Sequence, residues 1–275
     1  MTLSTASFDW VRELVHKESA IVLQPGKEYL VEARLLPIAR QQGISDVSQF
    51  VETVRARPDV DSTRRIVEAL TTNETSWFRD GEPFAALRST VVPALAPSRA
   101  TMRRLRVWSA ACSSGQEAYS IAMTLLETPP VADWTIEIVG TDLSSDMVQR
   151  AREGRYSQLE VNRGLPAAQL VRYFERDGAG WRVNQRLRSM ARFSELNLMR
   201  PFGAMGRFDV VFLRNVLIYF DVETKRDILR RVRQVLAPDG FLYLGAAEMT
   251  MGVDDAWERV AAGRSSVYRS RKDAP

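Results

Sequence analysis

The stretch that decides the fold is Leu105–Glu127, LRVWSAACSSGQEAYSIAMTLLE. An apolar strand runs into small residues, and a helix begins at once. From Ser109 to Gly115 (SAACSSG) no bulky side chain crowds the turn. Glu117, Tyr119, Ile121, Ala122 and Leu125 then repeat with helical spacing. A backbone that turns this tightly can be approached closely by a ligand, the use to which α/β folds put their first strand–helix junction. The segment reads as a nucleotide-type cofactor pocket.

Downstream of it, strands alternate with helices, the mark of a mostly parallel sheet. The expected strands are Leu105–Ala110, Thr135–Gly140, Ala191–Leu196, Phe208–Leu213 and Gly240–Gly245, and the expected helices are Gln116–Leu126, Ser145–Glu153 and Val222–Leu236. Ala237-Pro238-Asp239-Gly240 reads as a turn that stops the last helix and starts the last strand. Between Gly154 and Met190 the pattern becomes irregular, too long for a simple connection, and predicts an inserted small element. Upstream, residues 1–70 read as helical, with helices Phe8–Lys17, Glu28–Gln41, Val47–Arg57 and Ser62–Leu70. Pro37 is expected to kink or divide the second of these. Thr71-Thr72-Asn73 is a polar linker, and a helix over Pro83–Leu95 follows it. The expected division is a helical domain over 1–71 and an α/β domain over 72–275, the latter carrying a small β insert over about 154–190.

Composition narrows the chemistry. One cysteine, Cys112, excludes an internal disulfide or a cysteine-based zinc cluster, and a single histidine, His16, removes most metal sites and histidine acid–base mechanisms. No metal is expected. No apolar run reaches the roughly 20 residues needed to span a bilayer, and no signal-peptide pattern opens the chain. The net charge of +4 rests mostly on arginine and favours acidic partners, though a solvated surface accounts for it equally well.

Asp142 follows the second strand, where Rossmann-like folds hold the ribose hydroxyls of a nucleoside; a helix N-cap is the alternative role. The GxGxxG fingerprint is absent, so a pyrophosphate on the helix N-terminus is poorly supported. A cofactor without phosphate, S-adenosylmethionine, fits better. Glu117, in the first helical turn, suits the ammonium of its amino-acid tail, or merely the helix dipole.

Three segments carry a family resemblance. Asn73-Glu74-Thr75-Ser76-Trp77-Phe78-Arg79 resembles the NxTxFFR segment of the chemotaxis receptor methyltransferases, the CheR family. Trp108–Glu117 is similar to that family's first cofactor motif, and Phe208–Phe220, FDVVFLRNVLIYF, to its fourth-strand motif. Glu74 and Trp77 depart from the usual residues. The resemblance implies a Rossmann-like, class I methyltransferase sheet with an N-terminal all-helical domain and a small inserted β subdomain. It implies S-adenosylmethionine as donor and S-adenosylhomocysteine as product. The implied cofactor contacts are Asn73, Thr75, Arg79, Glu117, Asp142, Asn197, Leu198, Arg214 and Asn215, with Tyr219 beside the reactive methyl.

The resemblance further implies a receptor glutamate as substrate and its methyl ester as product. A glutamate is ionised at neutral pH and needs no general base, which suits a chain almost without histidine. Tyr219 and Arg79 are then the orienting groups. Arg34 and Arg40, with Arg12, Arg55 and Arg57, are expected to face the acidic cytoplasmic helices of a chemoreceptor. In some family members the insert captures a receptor C-terminal pentapeptide; the short loop Asp177–Trp181 points to an enzyme that does not need this tether. The expected setting is the cytoplasm, at membrane receptor arrays, without membrane insertion and with regulatory proteins as further partners. The competing readings are a nucleic-acid methyltransferase and a cofactor-retaining adaptor. The first lacks an [DN]PP[YF] motif at Arg214–Leu217, so no nucleic-acid partner is expected.

Overall fold

The computed structural model describes residues 3–271. Four helices open the chain: α1 (Thr5–Ser19), α2 (Glu28–Gln41), α3 (Val47–Ala56) and α4 (Val60–Leu70). Ser4, Asp46 and Asp59 cap α1, α3 and α4 by accepting the backbone N–H groups of Ser7, Gln49 and Ser62. Their apolar stripes meet in a core of their own, in which Val11, Leu35, Phe50 and Ile66 have no exposed surface.

Of the two outcomes expected at Pro37, division does not occur: α2 runs through it as one helix. It lies on the exposed side of the helix, as does Ala33 one turn earlier. The carbonyl of Ala33, which loses its helical donor, thus belongs to the exposed side, where a lost bond costs least. The expected helix over Pro83–Leu95 is longer and irregular: α5 (Glu82–Ala86), a π-helical turn (Leu87–Val91) and α6 (Val92–Arg99). Pro93 has no N–H for the carbonyl of Ser89, and the turn before it widens accordingly.

The α/β part then runs β1 (Arg104–Ala110), α7 (Gln116–Leu126), β2 (Thr135–Asp142) and α8 (Ser145–Glu153). An insert follows, β3 (Arg155–Tyr156), α9 (Gln158–Val161), α10 (Ala167–Tyr173), β4 (Phe174–Asp177), β5 (Gly180–Val183) and α11 (Gln185–Met190). The chain returns as β6 (Ala191–Glu195), β7 (Phe208–Leu213), α12 (Val222–Val235), β8 (Leu236–Leu244), β9 (Trp257–Ala262) and β10 (Ser265–Ser270). The main sheet has the order β6-β2-β1-β7-β8-β10-β9. Its first five strands are parallel; β10 pairs antiparallel with both neighbours. Successive residues of β1 alternate between the two faces, Val107 entering the core beneath α7 and Trp108 the core beneath α12. The insert forms a separate sheet, β3-β5-β4.

Two details of the sheet depart from expectation. β8 starts at Leu236 rather than Gly240, and Ala237–Gly240 is a bulge between the pairs Phe208–Leu236 and Val210–Phe241. Buried Arg99 holds it there by bonding Asp239 of the bulge and Asp209 of β7 together. The β9–β10 hairpin has no counterpart in the sequence reading. Its two-residue loop, Gly263-Arg264, has Gly263 at φ 63°, the glycine-first pattern of tight hairpins.

Strand order reverses between β2-β1 and β7-β8. Open α/β sheets bind ligands at the carboxyl ends of the strands at such a switch point.

Candidate active site

The turn after β1 is made of backbone. Ala111 and Ser113 adopt left-handed φ of 57° and 50°, and Gly115 follows at 95°. Non-glycine residues rarely occupy this region, and they do so only when surroundings force it. Here the forcing groups are visible. Cys112 N–H donates to the Thr141 carbonyl at 2.9 Å, and Ser113 N–H donates to Asp142 Oδ2 at 2.7 Å. A Cβ on Gly115 would stand 2.9 Å from the Ala151 Cβ, so a helix packs directly on this turn.

Asp142 is not the cap of α8; Ser144 is. The Asp142 carboxylate instead accepts the N–H groups of Ser113 and, at 3.0 Å, Ser144, while it faces the cleft. Burial pushes its carboxyl up despite those two amides. Glu117 accepts from Ser109 Oγ at 2.7 Å and from Arg214 Nη1 at 3.0 Å. Burial raises this carboxyl as well, and the Arg214 guanidinium opposes the rise. Arg214 is almost wholly buried; its Nη2 donates to Asp80 Oδ2 at 2.6 Å and to the Arg79 carbonyl at 3.1 Å. One guanidinium thus ties the β7 end, the first turn of α7 and the segment before α5 into one corner.

That segment, Asn73–Asp80, crosses the mouth of the sheet. Ser113 Oγ donates to the Asn73 carbonyl at 2.7 Å, and Ser120 Oγ accepts Phe78 N–H at 3.1 Å. Both departures from the family pattern face the insert. Trp77 is buried edge-on against Tyr156 and Phe174, and Glu74 takes an ion pair from Arg163 at 2.8 Å. On the opposite wall, Asn197 Nδ2 donates to the Glu18 carbonyl at 2.6 Å and Val22 N–H to the Tyr219 carbonyl at 3.0 Å.

These elements enclose one cleft of about 900 Å³, counting its open mouth. Asn73, Thr75 and Arg79 line it from the linker, and Glu117 and Asp142 from the first two strand ends. Asn197, Leu198, Arg214, Asn215 and Tyr219 line it from the third and fourth. Every residue expected to contact cofactor or methyl therefore borders the same space. The helical segment also contributes: Ser19 and Ile21, at the end of α1, line the cleft, which the sequence reading missed. Cys112 lines it too, with its thiol pushed up by burial.

Arg34 and Arg40 stand apart from the cleft. Arg40 is exposed, but half-buried Arg34 donates to the Thr71 carbonyl at 2.7 Å and so braces the linker. Among the described residues no group of three potential metal ligands occurs, and no helix is long and apolar enough to cross a membrane.

The donor set suits a nucleoside with a cationic amino-acid tail: a carboxylate at the second strand end and a second one in the first turn of α7, where it would repel a phosphate. Comparison with known proteins agrees. Residues 73–266 match the model of the CheR methyltransferase SAM-binding domain, and residues 6–71 that of the CheR methyltransferase all-alpha domain. Chemotaxis protein methyltransferase 1 of Pseudomonas aeruginosa is 41% identical over 276 residues, covering 98% of this chain and 100% of that relative. The chemotaxis protein methyltransferase of Escherichia coli is 36% identical over 279 residues, covering 99% of this chain and 93% of its own length. Among solved structures, PH0226 protein from Pyrococcus horikoshii superposes with a TM-score of 0.40 at 15% identity, over 80% of this chain and 99% of that one, too distant to bear on chemistry. By sequence over nearly its whole length, the chain belongs to the CheR methyltransferase family and uses S-adenosylmethionine.

Proposed function

We propose that the chain transfers the methyl of S-adenosylmethionine to glutamate side chains on the cytoplasmic helices of chemoreceptors. The observation that carries this reading is the convergence of three distant motifs on one cleft at the switch point of the sheet. When bound, the donor supplies an electrophilic methyl on a sulfonium. Asp142 accepts the ribose hydroxyls, and Glu117 takes the ammonium of the amino-acid tail. Arg214 holds Glu117 in place, and Asn73, Thr75, Asn197, Leu198 and Asn215 complete the pocket. The receptor glutamate, already ionised, forms its new oxygen–carbon bond as the carbon–sulfur bond breaks. Negative and positive charge cancel in that step, so a cleft that excludes water favours it. Tyr219 and Arg79 align the carboxylate with the methyl and act as neither nucleophile nor base.

Residues 1–71 form the receptor-facing unit and 72–275 the catalytic one, with the insert over about 154–190. Exposed Arg40, with Arg55 and Arg57, presents positive charge to an acidic bundle. Arg34 is expected there by resemblance, yet its bond to Thr71 gives it a bracing role instead. The turn between β4 and β5 is short, which supports methylation without a pentapeptide tether. The setting is the cytoplasm, at receptor arrays.

The test is radiolabelled methyl transfer to receptor-containing membranes, followed by mild alkali. Label on a receptor band that leaves as methanol is the expected result. Label on nucleic acid, or cofactor binding without transfer, overturns the reading.

A further inference from the structure

The loop after β7 carries Asn215 and Tyr219, yet nothing within it explains its shape. Parallel pairing of β7 with β8 ends at Leu213–Leu244, and the amides beyond that pair have no ladder partner. Asn215 lies at φ 59°, a left-handed conformation that costs energy in a residue with a side chain. The group that answers both facts is Glu248, four residues past the end of β8 and 8% exposed. Its Oε2 accepts Gly245 N–H at 2.6 Å and Asn215 N–H at 2.8 Å. Its Oε1 accepts Val216 N–H at 2.9 Å and Ile218 N–H at 3.3 Å. All four bonds need acceptors, and a carboxylate side chain offers acceptor sites on both oxygens. Gly245 makes room for this arrangement, since a Cβ there would stand 2.7 Å from Glu248 Oε2 and 2.8 Å from Asn215 N.

Glu248 does not border the cleft; it lies behind Arg214, on the side of the β9–β10 hairpin. We propose that Glu248 is a positioning residue for methyl transfer. Its carboxylate extends the β7–β8 ladder by side chain, fixes the Asn215–Ile218 backbone, and so sets where Asn215 and Tyr219 stand. The inference rests on the proposed roles of those two residues. It assigns to an acid outside the cleft control over its reactive end.

Glu248→Gln places an amide NH2 against two N–H groups and tests this in the full chain. Site-titrated protein is compared with wild type for S-adenosylhomocysteine Kd, kcat on receptor membranes and Tm. The expected result is a roughly 100-fold loss of kcat per binding site and about tenfold weaker S-adenosylhomocysteine binding. A purely structural role predicts a lower Tm with kcat per binding site and Kd unchanged, and that result overturns the proposal. Should Glu248→Gln not fold, amide hydrogen exchange of the wild-type protein decides. Slow exchange at Asn215, Val216 and Ile218 without ligand supports the carboxylate clamp, and fast exchange at all three overturns it. Failure of the functional reading is distinguishable, because wild type would then bind S-adenosylhomocysteine yet leave receptor glutamates unmodified.

Discussion

Two loops face each other across the cleft, and they hold their shapes by opposite means. The turn after β1 is built from small residues, and its own amides are bonded to the neighbouring strand at Thr141 and Asp142, with further bonds to Asn73 and Tyr156. The loop after β7 carries large side chains and is held from outside, by Glu248 and by Val22 of the helical region. The first stores its geometry locally and the second borrows it. Substitutions in the first should therefore damage folding and cofactor binding together, whereas substitutions in the second should reach turnover while sparing the fold.

The largest effect is expected at Gly115. Alanine there must adopt left-handed φ and press on Ala151 and the Tyr156 hydroxyl. The cost is about 2–5 kcal/mol, and Tm should fall on the order of 10 °C. An unchanged Tm in calorimetry would break the contrast at its stronger end. Glu117→Gln comes next. Loss of a charge-assisted bond to the cofactor ammonium costs about 1.5–3 kcal/mol, read as about tenfold or more weaker S-adenosylhomocysteine binding by titration calorimetry.

The same residue sets a pH dependence. Burial raises the Glu117 and Asp142 carboxyls, so each is harder to ionise in the folded protein than in the unfolded chain. Their contribution to stability is full below the ordinary carboxylate range and is lost as pH rises through the raised folded values. An ammonium beside Glu117 draws that proton off. S-adenosylhomocysteine affinity should thus climb with pH from the ordinary carboxylate range upward and level off once free Glu117 is ionised. Glu117→Gln should flatten the climb.

Tyr219→Phe sharpens the other half of the comparison. It should lower kcat about tenfold, roughly 1.4 kcal/mol, with S-adenosylhomocysteine Kd unchanged. Equal loss of both would make Tyr219 a binding or packing residue. The smallest effects belong to the arginines. Arg34→Ala should cost about 1 kcal/mol of stability through the Thr71 carbonyl. Arg40→Ala should leave Tm alone and slow receptor methylation a few-fold at low salt, the difference fading as salt screens it.

The contrast also marks what could be read in the chain. The first turn was legible because its cause lies in its own letters: small residues between an apolar strand and an amphipathic helix. Strand Phe208–Leu213 and helices Glu28–Gln41, Gln116–Leu126 and Ser145–Glu153 were legible for the same local reason. The expected cofactor contacts were found by motif, through resemblance; spacing alone would have supplied only Asp142 and Glu117, and Ser19 and Ile21 escaped both. What escaped depends on partners distant in sequence. Glu248 is one acid after a glycine and two alanines, and its four donors come from two different strand ends. Arg34 carried the expected charge but spends it on the linker. The β8 bulge needed Arg99, some 140 residues earlier, to hold it. The β9–β10 hairpin did leave a local trace at Gly263-Arg264, and that one was readable.

Of the seven non-glycine residues with left-handed backbone among those described, Ala111, Ser113 and Asn215 line the cleft, while Ala20, Phe78 and Asp80 adjoin residues that do; Arg103 alone lies elsewhere. Selection for thermal tolerance, blind to activity, would therefore be drawn to this rim. Glycine at Ala111 relieves about 1 kcal/mol of backbone strain, and at Asn215 less because asparagine tolerates this region better, at the expense of loops free to wander once the side chains are gone. Stability and turnover pull in opposite directions at these positions, so a lineage adapting to heat has to find its gains elsewhere, in the helical core or along the insert.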